Sequence, residues 1–179
     1  MGVRGRPEGM SDVEWLVALE EIRQLKARRD RYVDAHDWDG YESLHAPDHV
    51  SHHAPDHTFG GNETEWTSSV EVVKNLRAMA ERSTTNNVHQ SHGYEITFET
   101  PTKARGIWAM TGAHVGRHDD GTSEWEISFG YYYETYEKRD GEWLFTTRRW
   151  HRYVGMGSEQ VIFPVESLKG TDGFSVFEA

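Results

Sequence analysis

The chain has 179 residues, enough for one domain with a sizeable core, and carries 19 Lys and Arg against 30 Asp and Glu, a formal net charge of -11. That charge repels phosphate backbones and anionic membrane surfaces, so neither nucleic acid nor membrane is expected as a partner. There is no cysteine, which excludes disulfides, thiolate nucleophiles and Cys-ligated zinc; no apolar run approaches the ~20 residues that cross a bilayer, so a soluble, cytoplasmic protein is expected.

Residues 1–10 show no periodicity and read as a disordered lead-in to a domain spanning 11–154. Ser11 with Glu14 three residues later forms a capping box. Trp15, Leu16, Leu19, Ile22, Leu25 and Val33 then recur at helical spacing, predicting one long helix over 12–36. Arg29 interrupts the stripe between Leu25 and Val33; it either pairs with Asp30 or Glu21 at the helix edge or lines a polar cavity. The helix ends in a carboxylate-rich stretch with Asp34, Asp37 and Asp39 around His36, and helical spacing alone does not single out one of them.

A short second helix over 38–44 stops ahead of Pro47. The run HAPDH then occurs at 45–49 and again at 53–57, so five histidines fall within thirteen residues. Such density suggests a metal site, but each HxxxH contains a proline, so its imidazoles are not one helical turn apart. The plainer reading is a strand over 49–53 and a loop through Gly60 and Gly61, with one histidine facing a pocket; no metal is expected. A third helix is predicted over 66–82, with Val70, Val73, Leu76 and Met79 at suitable intervals.

From residue 88 the period changes to two. Strands over 88–99, 104–115, 124–137 and 142–154 are joined by TPTK, RHDDGT and KRDG, which supply the Pro, Asp and Gly of tight turns. The fold class is α+β, with helices covering one face of a curved antiparallel sheet to make a cone with a cavity. In the third of these strands Trp125, Ile127, Phe129, Tyr131 and Tyr133 alternate with Glu126, Ser128, Gly130, Tyr132 and Glu134, and the aromatic row is the expected core face. In the last, Leu144, Thr146, Arg148, Trp150 and Arg152 share a face opposite Trp143, Phe145, Arg149, His151 and Tyr153. His89 and His92 fall on opposite faces of a regular strand, so only one points inward. The tail, 155–179, is apolar enough in two places to dock on its own or a neighbouring subunit.

This order of elements resembles the SnoaL-like branch of the NTF2-like superfamily over about 13–154. The resemblance is carried by LK at 25–26, Asp34 followed by Trp38 and Asp39, HQSH at 89–92, EIT at 95–97, ARGIW at 104–108 and YEKRDGEW at 136–143. These runs are most similar to bile-acid 7α-dehydratases and more distantly to lindane dehydrochlorinases and scytalone dehydratases. The resemblance implies that Asp34 pairs with His89, which acts as the base, and that a last-strand arginine assists: Arg148 by one comparison, Arg152 by another. Where the bile-acid dehydratases have a tyrosine five residues before the aspartate this chain has Arg29, which implies electrostatic rather than hydroxyl stabilisation of an enolate or carboxylate. His52, His53 and Trp108 are expected at the substrate pocket. The implied activity is a cofactor-free dehydratase acting on a hydrophobic, polycyclic hydroxy substrate of steroid or polyketide type, in a homo-oligomer, trimer or dimer. The alternatives are an isomerase or polyketide cyclase on the same fold, or a non-catalytic ligand-binding or assembly module.

Overall fold

The computed structural model describes residues 6–53, 64–82, 86–117, 122–158 and 161–162. The predicted loop through Gly60 and Gly61, His57, and the tail beyond residue 162 lie outside the described residues. Helix α1 (Asp12–Asp34) starts on the expected capping box: Glu14 N–H donates to Ser11 Oγ at 3.2 Å, and Ser11 N–H donates to the Glu14 carboxylate at 2.8 Å. Met10 is already packed in the core, and Arg6 pairs with Asp12 at 3.0 Å, so ordered packing begins before the boundary expected at residue 11. The buried stripe of α1 is Ala18, Ile22, Leu25, Lys26, Arg29, Asp30 and Val33. Leu16, expected in that stripe, is 55% exposed because it sits about 120° around the helix from Ile22.

The helix ends two residues earlier than expected. Ala35 caps it and His36 turns into the left-handed region at φ 56, reversing the chain so that Asp37 can cap α2 (Trp38–Ser43) by accepting from Gly40 N–H at 3.0 Å. Two strands, not one, then precede the third helix: β1 (His45–His53) and β2 (Thr64–Trp66). Trp66, expected to open that helix, instead closes β2 and lies 4.2 Å from the His53 ring. Helix α3 (Ser69–Arg82) begins after Ser68, whose hydroxyl accepts from Glu71 N–H at 3.1 Å.

The meander is present as expected, with longer strands: β3 (Asn86–Thr100), β4 (Lys103–Arg117), β5 (Ser123–Arg139) and β6 (Glu142–Gly157). A two-residue β7 (Val161–Ile162) pairs back on Gly155 and Met156. The sheet order is β2-β1-β6-β5-β4-β3, antiparallel except where β1 runs parallel to β6. Pro47 and Asp48 are exposed within a register shift between His45 and Val50, the kind of irregularity that accommodates a residue with no N–H to donate.

The core face of β5 is the reverse of the expected one. Ser128, Tyr132, Glu134 and Tyr136 are buried, whereas Trp125, Phe129 and Tyr131 are 45%, 39% and 39% exposed. The reason lies in α1, whose buried stripe contains Lys26, Arg29 and Asp30 and therefore settles on the face that supplies Glu134 and tyrosine hydroxyls rather than on the aromatic row. In β6 a register shift beside Thr135 makes Thr146 an extra residue, so its hydroxyl and that of Thr147 both reach Thr135. This bulge brings Trp143 and Phe145 onto the same core face as Arg148 and Trp150, which plain alternation had separated.

Candidate active site

Asp34 is the last residue of α1, and both of its oxygens are taken by His89 of β3. Oδ1 accepts from His89 Nδ1 at 2.5 Å and Oδ2 from the His89 backbone N–H at 2.9 Å. A carboxylate can only accept, so Nδ1 carries the hydrogen and Nε2 presents its lone pair. The two side chains are 22% and 21% exposed, leaving that lone pair reachable. Burial pushes the His89 imidazole below its free value, the Asp34 bond opposes this, and the charge of Arg29 reinforces the lowering. Near neutral pH the ring is therefore unprotonated, as a base must be.

A second bulge makes this orientation possible. Residues 89 and 91 face the interior at odd positions, yet Ile96 and Phe98 face it at even ones; the change of phase falls at the register shift between His92 and Tyr94, where Gly93 has φ 51. His92 turns outward, its Nε2 3.1 Å from the Thr111 hydroxyl. At the level of His89 the ladder runs through Gly112, Ser128 and Gly155, so the floor beside the imidazole carries no large side chain. One level on it runs through Ser91, Met110, Gly130 and Arg152. Gly130 admits nothing larger, since a Cβ there would stand 2.1 Å from the His151 carbonyl oxygen.

Deeper in the interior is a charged cluster. Arg29, 1% exposed, donates to Asp30 at 3.0 Å and to the Tyr41 hydroxyl at 3.3 Å. This decides between its two expected roles: it pairs with Asp30, but inside the domain, while Glu21 takes Lys138 at 2.9 Å. Lys26 Nζ donates to Glu134 at 2.6 Å, and Glu134 also accepts from the Tyr136 hydroxyl at 2.5 Å, which in turn accepts from Trp108 Nε1 at 2.7 Å. Tyr132 lies among three cations: Lys26 Nζ is 3.9 Å, Arg148 Cζ 4.5 Å and Arg29 Cζ 5.1 Å from its ring centroid. Burial alone would raise the Tyr132 phenol; Arg148, Arg29 and Lys26 outweigh it and lower the pKa. For Asp30 burial is likewise opposed by Lys26 and Arg29, which hold the carboxyl below its usual range. Three cations against the two carboxylates Asp30 and Glu134 leave this cluster net positive.

β1 lines the same interior with imidazoles. His45, His49 and His53 are 5%, 0% and 3% exposed. Burial is the first cause that lowers each, well below 6.5 for His45 and to about 3 for His49 and His53, with nearby Arg148 and Arg29 acting in the same direction. His45 Nδ1 lies 2.7 Å from the Tyr41 carbonyl and His49 Nδ1 3.2 Å from that of Phe145. His45 Nε2, His49 Nε2, Arg29 Nε and Arg148 Nε are buried without a hydrogen-bond partner among the described residues, each a cost of about 1–3 kcal/mol if left so.

The expected residues thus divide. Asp34 and His89 meet, and Arg29 and Arg148 share the ring of Tyr132. Arg152 faces inward too but pairs with Glu126 at 3.2 Å. His53 faces inward, whereas His52 falls on the opposite face of β1 against Glu65 at 3.2 Å; strand alternation allows only one of two neighbours inside, which corrects its expected place in the pocket. Trp108 is 4% exposed and held by Tyr136 within the core cluster. Sequence reasoning missed Lys26, Tyr41, Tyr132, Glu134, His45 and His49 as interior polar groups. A helical wheel centred on Ile22 does place Lys26 in the buried stripe, the one signal that was available. Among the described residues no group of three or more His, Asp or Glu is arranged to hold a metal ion, and no helix is long and apolar enough to cross a membrane.

Residues 15–149 match the family model of the SnoaL-like domain. The chain belongs to the SnoaL-like family. Among curated proteins it is 27% identical over 135 residues to the probable cyclase FGR4 of Gibberella zeae, covering 73% of this chain and 88% of that one. Among solved structures, a putative scytalone dehydratase from Novosphingobium aromaticivorans superposes with a TM-score of 0.69 at 18% identity, covering 88% of this chain and 99% of that chain. The hexachlorocyclohexane dehydrochlorinase LinA-type3 of Novosphingobium barchaimii gives 0.68 at 18% identity, covering 88% and 100%. At such identities the structural likeness establishes the NTF2-like fold of this SnoaL-like domain.

Proposed function

We propose that this SnoaL-like protein is a lyase of the dehydratase type, in which His89, oriented by Asp34, removes a C–H proton from a hydrophobic hydroxy substrate and water is then lost. The observation that carries the reading is the double hydrogen bond from His89 to Asp34, which leaves a neutral imidazole with Nε2 free beside the small-residue floor of Gly112 and Ser128. An Nε2 lone pair held in place by a carboxylate on the other ring nitrogen is the arrangement of a general base, which favours catalysis over a purely binding role. The net positive cluster of Lys26, Arg29 and Arg148 is suited to negative charge developing on the substrate, and Arg148 is favoured over Arg152 for this because Arg152 is already paired with Glu126. The relative named as a cyclase favours a second reading, an aldol-type ring closure using the same base. The exposed row of Trp125, Phe129 and Tyr131 supports a homo-oligomer assembled on the outer face of the sheet.

The test is mass-spectrometric analysis of products after incubation with hydroxylated steroids and polyketide alcohols. Loss of one water identifies elimination; a product isomeric with its precursor is isomerised or ring-closed, and NMR of that product separates the two, a new ring carbon–carbon bond identifying the cyclase. Asp34→Asn and His89→Ala should each lower turnover ~10²–10⁴-fold with the fold intact, the usual worth of a positioned general base. The rate should climb with pH along an acid limb centred below 6.5, where His89 loses its proton. Full activity in either variant sinks the dyad.

A further inference from the structure

The side chains that carry the four unpartnered nitrogens described above are linked through shared neighbours. His45 stacks on Tyr41 at 4.4 Å, Tyr41 accepts from Arg29, and the His45 and His49 rings are 4.6 Å apart. Arg29 and Arg148 share the ring of Tyr132, and Arg148 stands beside Ser51 in the β1–β6 ladder, two residues from His49. Their chemistry is specific. Carbonyl oxygens only accept, so the Nδ1 atoms of His45 and His49 carry the hydrogens, and in neutral rings each Nε2 is a lone pair that needs a donor. Arg29 Nε and Arg148 Nε are N–H groups that need an acceptor.

A carboxylate would suit the arginines but bring its lone pairs against those of the histidines. An ammonium would suit the histidines but meet two guanidinium charges. A ketone or ether has no hydrogen to give. A hydroxyl does both from one atom, donating its hydrogen and accepting through its oxygen. We propose that the interior between α1, β1 and β6 is a hydroxyl-binding subsite, in which an alcohol or phenol group of the ligand donates to Nε2 of His49 or His45 and accepts from Nε of Arg148 or Arg29. It rests on the proposed function only in taking this interior as the ligand site. It adds that the protein selects ligands by a neutral hydroxyl held apart from His89, and it makes the β1 imidazoles specificity determinants rather than bases.

The probes are phenol, toluene and benzoate, which share one ring and differ in the single group presented. Binding to the full chain is followed by calorimetry and by the ¹⁵N resonances of the histidine rings at neutral pH. Phenol should bind at least ~10-fold tighter than toluene, a difference of about 1.4 kcal/mol, and should move the Nε2 resonances of His45 and His49 while leaving their Nδ1–H tautomer unchanged. His49→Phe keeps a ring in place and should weaken the preference for phenol, and adding His45→Phe should erase it, in both cases without weakening toluene. Equal binding of phenol and toluene by the parent, tightest binding of benzoate, or Nε2 resonances that ignore phenol would each overturn the subsite. Should His49→Phe fail to fold, the parent's resonances still decide. Because binding is scored without turnover, absence of dehydration leaves this result standing, and a subsite that fails here leaves the Asp34–His89 reaction to be judged by its own products.

Discussion

Lys26 and Glu134 are 1% and 0% exposed and 2.6 Å apart, joining α1 to β5 through the interior. Desolvating two such charges is expensive, so the pair contributes less than its short distance suggests, but removing one partner strands the other. Lys26→Met should destabilise the fold by about 3–5 kcal/mol, read from the urea midpoint, while Lys26→Met combined with Glu134→Leu should recover most of that loss because no unpaired charge remains. A single variant as stable as the parent would mean that Glu134 takes up a proton or finds Arg29 instead. Arg29 carries a different lesson: its charge broke the apolar stripe visibly in the sequence, but whether it faced solvent or interior was decided by Tyr41 and Tyr132, residues from two other elements.

Among the elements, β3 shows how one residue sets the geometry of a site. Gly93 at φ 51 shifts the phase of the strand so that His89 shares a face with the core residue Phe98 and with Ile96, which packs against the core. Valine is a poor occupant of that region, at roughly 1–2 kcal/mol. Gly93→Val should lower Tm by several degrees and disturb the Asp34–His89 bond; because that bond opposes the lowering by burial, the His89 imidazole, followed by NMR, should then titrate further below 6.5 than in the parent. An unchanged titration in a destabilised variant would show that the bulge serves packing alone. The bulge at Thr146 in β6 has the same character, aligning Trp143 and Phe145 with Arg148. Neither bulge was legible beforehand, because alternation counts residues and a bulge is an extra residue whose position depends on the partner strand.

At the scale of the whole molecule the buried imidazoles make stability depend on pH. His49 and His53 titrate at about 3 when folded, and His45 well below 6.5, the value expected once unfolded. Between those limits the unfolded chain binds more protons than the folded one, so the stability these groups contribute is fully present above 6.5 and is lost as pH falls toward 3. Each histidine can add up to about 1.4 kcal/mol per pH unit to that slope. Urea unfolding at pH 7, 6, 5 and 4 should show a steep decline, and His49→Phe should make it shallower by about one proton; a flat profile across this range would place these rings in contact with solvent.

The sequence by itself determined the local elements: the capped first helix, the α+β class, the four-strand meander and a strand that presents two chemically distinct faces. Its resemblance to the SnoaL-like family picked out Asp34 and His89 from several equivalent carboxylates and histidines. Only the tertiary structure decided which face of β5 became the interior, that β1 runs parallel beside β6, and that His45 and His49 are buried in the same interior as Arg29 and Arg148. The physical reason is that periodicity reports how a segment is divided into faces, whereas the choice of face follows from what covers it. Here that cover is α1, whose Lys26, Arg29 and Asp30 drew the polar face inward and left the aromatic row outside.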